Sequence, residues 1–501
     1  MVGKESSHRY YQFLKNNNQK ITVILIFIIG IILRILFIRS REIAYDDAFS
    51  YFLARSPLQD IISGTAADTM PPLYYFLLHF WMKISDNLWF LRLLNISINL
   101  ITAWLVFAIT KELFNPSSAL IATFLFLISP FQIYHSQELR MYAVLLLGQV
   151  GYFYAFLKIF RSSGKMNFLW IAAGVFFGLI AMYSHNLGII GLISVNVILL
   201  FKRNCRIFKN LFLVQFFILL FSIPWFLYLP QQIEKVQQAF WTQTPGIIDI
   251  IQALLSLFAF LPMSTLFTGV VLIIIVQSFI LLSVFLFKNK SVKYSIIALL
   301  MFFPPTIIFI LSFFVKPVFV PRIFILSSVW FFILFAAFIE KNKSNYLGII
   351  NLGLFIFISI ISLPFYYQFN NFPRSPFKEL ANTLENFGPE VVVVHDNKLS
   401  FFPTMSHIER ENTYYLQDLP GSPNDTLAHD SQLALGFIAC ESIEPFLEMD
   451  KLVFVVFQKT LDEYGQSNLD HPVVVILRNE YKEIEKFYIG DIVIFRVEEK
   501  R

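Results

Sequence analysis

Between residues 20 and 367 the chain alternates long apolar runs with short polar breaks. The runs fall at 20–39, 89–111, 117–135, 138–160, 167–184, 186–201, 210–230, 265–287, 294–315, 322–340 and 345–367. Most are roughly 17–25 residues long, enough for a helix rising 1.5 Å per residue to cross about 30 Å of hydrocarbon. The pattern predicts a polytopic α-helical membrane protein with about 11 transmembrane helices. Residues 71–84 are apolar but span only roughly 21 Å as helix, and 247–263 are similarly ambiguous. After Tyr367 the pattern changes. Strand-like runs at Val391–His395, Leu452–Phe457, Val473–Leu477 and Ile492–Val497 alternate with helical stretches such as Pro376–Phe387. Residues 1–369 therefore read as a transmembrane domain and 370–501 as a soluble α/β domain, of ordinary domain size.

Composition agrees: 56% of residues are hydrophobic and 15% charged, against about 25% charged in soluble proteins. The net charge of +5 hides a division, because residues 370–501 hold 22 acids and 12 bases. The basic excess of the membrane part marks orientation, not nucleic-acid binding. If 71–84 is interfacial or re-entrant, the clusters Lys158/Arg161/Lys165, Lys202/Arg203/Arg206/Lys209, Lys288/Lys290/Lys293 and Lys341/Lys343 share one side with Lys4, Arg9, Lys15 and Lys20. That satisfies the positive-inside rule; a full crossing there breaks it. The expected topology is a cytoplasmic N-terminus with 370–501 outside the plasma or inner membrane. Residues 21–38 lack a small-residue cleavage site and read as a retained signal anchor. Cys205 and Cys440 lie far apart, which offers neither a disulfide framework nor a CxxC metal site.

In this topology the loop 40–88, the segment 129–140, His185, the loop 231–263 and residues 316–322 all emerge on the outer face. Residues 1–369 hold only 12 of the 34 acids, and five of those lie between Glu42 and Asp68. Adjacent carboxylates against a membrane are costly unless a proton, a cation or a substrate uses them. Asp46 and Asp47 are thus candidates for chemistry, and Arg92, Arg140, Lys316 and Arg322 could hold an anion by charge-assisted hydrogen bonds. Solvated loop acids and interfacial snorkelling bases are the plainer alternatives.

Four stretches carry a resemblance. They are Tyr45-Asp46-Asp47-Ala48-Phe49-Ser50, Pro71-Pro72-Leu73-Tyr74-Tyr75, the segment Ser129–Tyr142 with its Ser136-Gln137-Glu138-Leu139-Arg140-Met141-Tyr142, and Pro321-Arg322. Together they resemble the GT-C superfamily of membrane glycosyltransferases, in the branch of protein O-mannosyltransferases and lipid A aminoarabinose transferases. The likeness covers about residues 20–367. The chain departs from the family pattern at Asp47 (often Glu), at Met70 (often His or Lys) and at Leu94-Asn95 (often Pro-Ser). The resemblance implies an inverting transfer of a hexosyl or pentosyl group from a polyprenyl-phosphate donor to a lipid, glycan or protein acceptor. It implies Asp46 as base, Asp47 and Glu138 as assisting acids, and Arg92, His135, Arg140, Tyr74, Tyr75, His185, Lys316 and Arg322 as substrate-binding residues.

Local readings compete with these roles. Glu138 is expected just inside a helix capped by Ser136, where a carboxylate is favourable from the dipole alone. Tyr74 and Tyr75 fit packing or interface positions as well as sugar contact. His135 and His185 beside the acids leave room for a divalent metal ion, although two separated histidines are thin support. His395-Asp396 follows a strand end and reads as a turn. A transporter or flippase of lipid-linked saccharide is the alternative function; it lacks the internal repeats and paired broken helices of such proteins. A non-catalytic scaffold leaves Asp46, Asp47, Glu138 and Arg140 unexplained.

Overall fold

The computed structural model describes residues 2–161, 166–196, 205–238, 242, 244–314, 317–368, 372–422 and 424–500. The chain forms two compact units: one of residues 1–38, 88–227 and 242–366, the other of 39–87, 228–241 and 367–501.

The first unit is helical. Among the described residues, eight helices are long and apolar enough to cross a membrane: Asn17–Ile35, Leu88–Leu113, Tyr142–Arg161, Cys205–Phe226, Thr265–Lys288, Val292–Phe314, Pro321–Lys341 and Leu347–Tyr366. The run expected at 117–135 is not one straight helix. Pro116–Ile128 and Pro130–Gln137 meet at 57°, because Pro130 brings no N–H to the helical ladder and Ser129 restarts it as a cap. The run expected at 167–184 is the 17-residue helix Phe168–Ser184. The one expected at 186–201 begins as Gly188–Ser194, and its end lies outside the described residues. Ile247–Phe258 is a short apolar helix. The window of Pro321–Lys341 is 94% buried, which makes it the unit's central helix, while Phe168, Phe287 and Phe314 on the periphery are 75–81% exposed. Tyr142–Arg161 and Phe168–Ser184 pack backbone to backbone. A Cβ on Gly148 would lie 2.5 Å from the Ala181 nitrogen, the close approach that small residues allow between membrane helices.

The second unit holds a five-stranded sheet: β1 (Val392–His395), β2 (Thr413–Tyr415), β3 (Lys451–Phe457), β4 (Tyr481–Ile489) and β5 (Ile492–Lys500), in the order β2-β1-β3-β5-β4. β1 pairs in parallel with β2 and β3, and β5 runs antiparallel between β3 and β4. Val392, Val394, Leu452, Phe454, Val456, Val493 and Phe495 form the core. Val473–Leu477, read from sequence as a strand, lies in the helix Pro472–Glu480. Pro472 at its first position favours helix, and Val473, Val474 and Leu477 form one buried helical face. Tertiary packing here outweighs the β-preference of three valines.

The same unit contains the segment expected as loop 40–88, which is three helices: Tyr45–Arg55, Leu58–Ala67 and Leu73–Met82. The first two pack on the sheet domain. Ser56 Oγ donates to Ala434 O (2.6 Å) and Ser431 Oγ to Gly64 O (3.0 Å). Phe52 meets Phe402 and Phe437 edge-on, and Arg55 pairs with Glu409 at 3.1 Å.

Candidate active site

The broken span organises the polar centre of the first unit. Ser129 accepts from the Gln132 N–H and Pro130 occupies the first position of the short helix Pro130–Gln137. Glu138 is therefore the C-terminal cap, with extended backbone. This overturns the expectation of a helix capped by Ser136. Ser136 lies inside the helix, its Oγ donating to Ile133 O. At a helix C-terminus the dipole opposes a carboxylate, so Glu138 needs another partner. It has one: Oε2 lies 2.7 Å from His135 Nδ1, both side chains being nearly buried. Phe131, Tyr134 and Tyr142 surround the imidazole, with ring centroids 4.5–5.1 Å away.

The residues after the turn join this pair to two guanidiniums. Arg322, on the 3-10 turn Pro321–Phe324, donates to Tyr142 Oη at 3.2 Å. His185, just past the end of the Phe168–Ser184 helix, lies 5.9 Å from the Tyr142 ring. Burial, then the Arg322 and Arg140 charges, push His185 down to about 3. It is thus neutral near pH 7. Its Nδ1 accepts from the Leu187 N–H at 3.0 Å, which leaves the proton on Nε2 as a donor. Arg92 is 1% exposed and donates to Ile38 O at 2.7 Å, so it is buried against the end of the first span and does not snorkel. Lys316 lies outside the described residues.

Sequence reasoning missed the scaffold beneath this centre. Arg34, fully buried in the first helix, donates to Leu127 O (2.8 Å) at the break, to Gly30 O (3.0 Å) and twice to Asn99 Oδ1 (2.8 and 3.1 Å). Asn99 passes to Gln132 Oε1 (3.2 Å), and Gln132 to Ser328 Oγ (2.8 Å). Gln137 donates to Arg34 O (2.6 Å) and accepts from Tyr366. The signal was present. Arg92, Asn95, Asn99 and Thr102 recur at spacings of three and four on one apolar helix, which is the period of a buried polar stripe.

The acidic pair lies in the second unit. Asp46 and Asp47 occupy the first turn of Tyr45–Arg55, where Ala44 offers no side-chain cap and the dipole favours carboxylates. The two differ. Asp47 is buried and faces Arg41 at 3.9 Å, each side chain 2% exposed, whereas Asp46 is half-buried. Burial first, then the carboxylates of Asp68, Asp46 and Asp418, hold the Tyr45 phenol well above its ordinary range. Asp68 pairs with Lys235 at 3.4 Å, and Asp418 with Lys398. Tyr74 and Tyr75 are 1% and 0% exposed and pack edge-on against one another, Tyr75 also against Phe49. They occupy the interior, as hydrophobic rings between helices do. His395 is buried at the end of β1 with Nδ1 at 3.0 Å from Ser400 Oγ, and Asp396 pairs with His471 at 3.1 Å. Among the described residues, no three His, Cys, Asp or Glu side chains are grouped to hold a metal ion.

A sequence profile described as dolichyl-phosphate-mannose-protein mannosyltransferase matches residues 69–228. That segment contains the broken span, His135, Glu138, Arg140 and His185. No curated protein sequence matches the chain. Among solved structures, ArnT from Cupriavidus metallidurans in the apo state is similar over 95% of this chain and 97% of its own, with TM-score 0.62 and 10% identity. The fold is that of the GT-C membrane glycosyltransferases. The same ArnT bound to undecaprenyl phosphate gives TM-score 0.58 at 10% identity, over 95% and 97% of the two chains. The archaeal oligosaccharyltransferase AglB from Archaeoglobus fulgidus, in complex with an inhibitory peptide and a dolichol-phosphate, gives 0.56 at 10% identity, over 96% of this chain and 74% of that one. Within the GT-C fold the chain resembles the branch of ArnT and the protein mannosyltransferases.

Proposed function

We propose that the protein is an inverting glycosyltransferase that moves a sugar from a polyprenyl-phosphate donor to an acceptor on the outer face of the cell membrane. The observation that carries this reading is the group Arg140, Arg322, Tyr142 and neutral His185, gathered after the broken span of a lipid-facing helical unit. A donor anchored by its lipid tail brings its phosphate to such a unit, and guanidiniums bind phosphate by paired, charge-assisted contacts.

An acceptor oxygen attacks the anomeric carbon from the side opposite the phosphate, the bond from that carbon to the phosphate oxygen breaks, and polyprenyl phosphate departs. Departing phosphate is already ionised, so it needs charge stabilisation more than a proton. Arg140 and Arg322 supply that, with the His185 Nε2–H as a neutral donor. The acceptor's proton goes to Asp46, the more accessible carboxylate of its pair. His135 and Glu138 orient groups beside the phosphate. Asp47, tied to Arg41, holds the helix start that presents Asp46. The transferred group is a hexosyl or pentosyl unit, and the acceptor is a lipid, glycan or protein.

The test is transfer from radiolabelled polyprenyl-phosphate sugars in membranes with and without the protein, followed by fractionation of labelled lipid, glycan and protein. Wild-type membranes should label one fraction and release polyprenyl phosphate, and Arg140→Ala membranes should lose donor use. Movement of label across the membrane without release of polyprenyl phosphate would instead favour a flippase.

A further inference from the structure

We propose that Asn95 is a positioning residue, fixing the turn that delivers Glu138 and Arg140 together. The inference rests on the donor reading above only through Arg140. Residues 138–141 join two helices, Pro130–Gln137 and Tyr142–Arg161, and make no regular ladder of their own. Something else must set their course. Asn95, 0% exposed on the Leu88–Leu113 helix, does so with a single group: its amide Nδ2 donates both to Glu138 O and to Arg140 O, the latter at 2.9 Å. An amide carries two N–H donors in a fixed plane, so both protons are committed to alternate carbonyls of the turn. Arg92 and Asn99, on the same helical face, fasten Ile38 and Gln132. The stripe therefore holds the end of the first span, the turn and the short helix in one register.

The residue type matters. A serine hydroxyl has one proton and a shorter reach, and can serve one carbonyl at most. An ionised aspartate, although nearly the same shape, donates nothing. Leucine fills the space and donates nothing. In a buried site each carbonyl left without a donor drives the backbone elsewhere, and a displacement of about 1 Å at a reacting group costs on the order of 100-fold in rate. At this position, where the family often has serine, the side chain makes two backbone contacts, which a single hydroxyl proton could not supply.

The experiment uses the full-length protein in lipid nanodiscs, with Asn95→Ser, Asn95→Asp and Asn95→Leu. Hydrogen exchange at amides 138–142 and the affinity for undecaprenyl phosphate are measured on each. The Leu and Asp variants should speed exchange at 138–142 by about tenfold or more, leave the helices unchanged, and weaken undecaprenyl phosphate binding by roughly tenfold. The Ser variant, the mildest change, should fall between and carries the test where the others fail to fold. In an Arg140→Ala background, Asn95→Leu should cost less phosphate affinity than it does in the wild type, because part of its effect runs through Arg140. Unchanged exchange at 138–142 in the folded variants, or losses that simply add, overturn the proposal. If wild-type protein binds no undecaprenyl phosphate, the donor reading falls, and exchange alone decides the role of Asn95.

Discussion

Replacing Glu138 by Gln separates chemistry from stability at the His135–Glu138 pair. Gln keeps the length and an acceptor oxygen, so the contact to His135 Nδ1, 2.7 Å long with side chains 5% and 12% exposed, can persist. What goes is the charge. A hydrogen bond to an ionised group contributes about 1.5–3 kcal/mol and a neutral one about 0.5–1.5, so the pair loses roughly 1–1.5 kcal/mol. The same change removes a carboxylate from a helix C-terminus, where the dipole penalises it by about 0.3–1 kcal/mol. These terms nearly cancel in stability but not in catalysis, where only imidazole orientation counts. Glu138→Gln should therefore shift the melting temperature of the detergent-solubilised protein by no more than about 2–4 °C. Its sugar transfer should fall roughly tenfold. Transfer kinetics with a labelled polyprenyl-phosphate sugar, read beside thermal unfolding, supply both numbers. Undiminished transfer at normal stability would refute the role given to the pair. A loss of more than about 3 kcal/mol of stability would show that the carboxylate is a structural keystone instead.

Three other outcomes follow from the geometry. Asp46→Asn should lower transfer by about 10²–10⁴-fold with near-normal folding, while Asp47→Asn should destabilise the protein by roughly 3 kcal/mol by stripping buried Arg41 of a partner; a folded, inactive Asp47→Asn beside an active Asp46→Asn would reverse the assignment. Burial holds His395 at about 3 against an ordinary 6.5, so the unfolded chain binds the extra proton and stability is complete above about pH 6.5, then lost as pH falls toward 3. At pH 5 the loss is about 2 kcal/mol; unfolding followed against pH should show that slope in wild type and not in His395→Gln, and equal slopes would dismiss burial as its cause. For topology, Lys459→Cys on an exposed helix of the sheet domain should react with a membrane-impermeant thiol reagent in intact cells, and exposed Cys205 only after lysis. Native Cys440 is a poor reporter because burial raises its thiol pKa. Labelling in the opposite order would invert the orientation.

The parts of this protein legible in sequence are those where physics acts locally. Apolar runs of membrane length announced the spans, and the change of period after Tyr367 announced the sheet domain, because burial against lipid and burial in a sheet impose different spacings. Positions decided by partners distant in sequence were hidden. Val473–Leu477 reads as strand until Pro472 and the packing of Val474 and Leu477 into the core turn it into helix. Glu138 reads as the favoured first-turn acid of one helix and proves to be the disfavoured cap of another. The difference lies upstream, in whether Ser129-Pro130 or Ser136 starts the helix. Ser129-Pro130 carries both a cap and a first-position proline, and the stronger local signal won. Asp46 and Asp47 are adjacent and chemically equal in sequence, and the fold separates them by burying Asp47 beside Arg41. Arg34 is hidden in sequence because a single polar residue inside an apolar run carries no signal, and Asn95 shows there only as a departure from the family pattern. Taken as a stripe at helical spacing, Arg92, Asn95, Asn99 and Thr102 already required a buried polar partner surface. Arg92, Asn95 and Asn99 find it at the end of the first span, in the turn before Tyr142 and on Gln132 of the short helix.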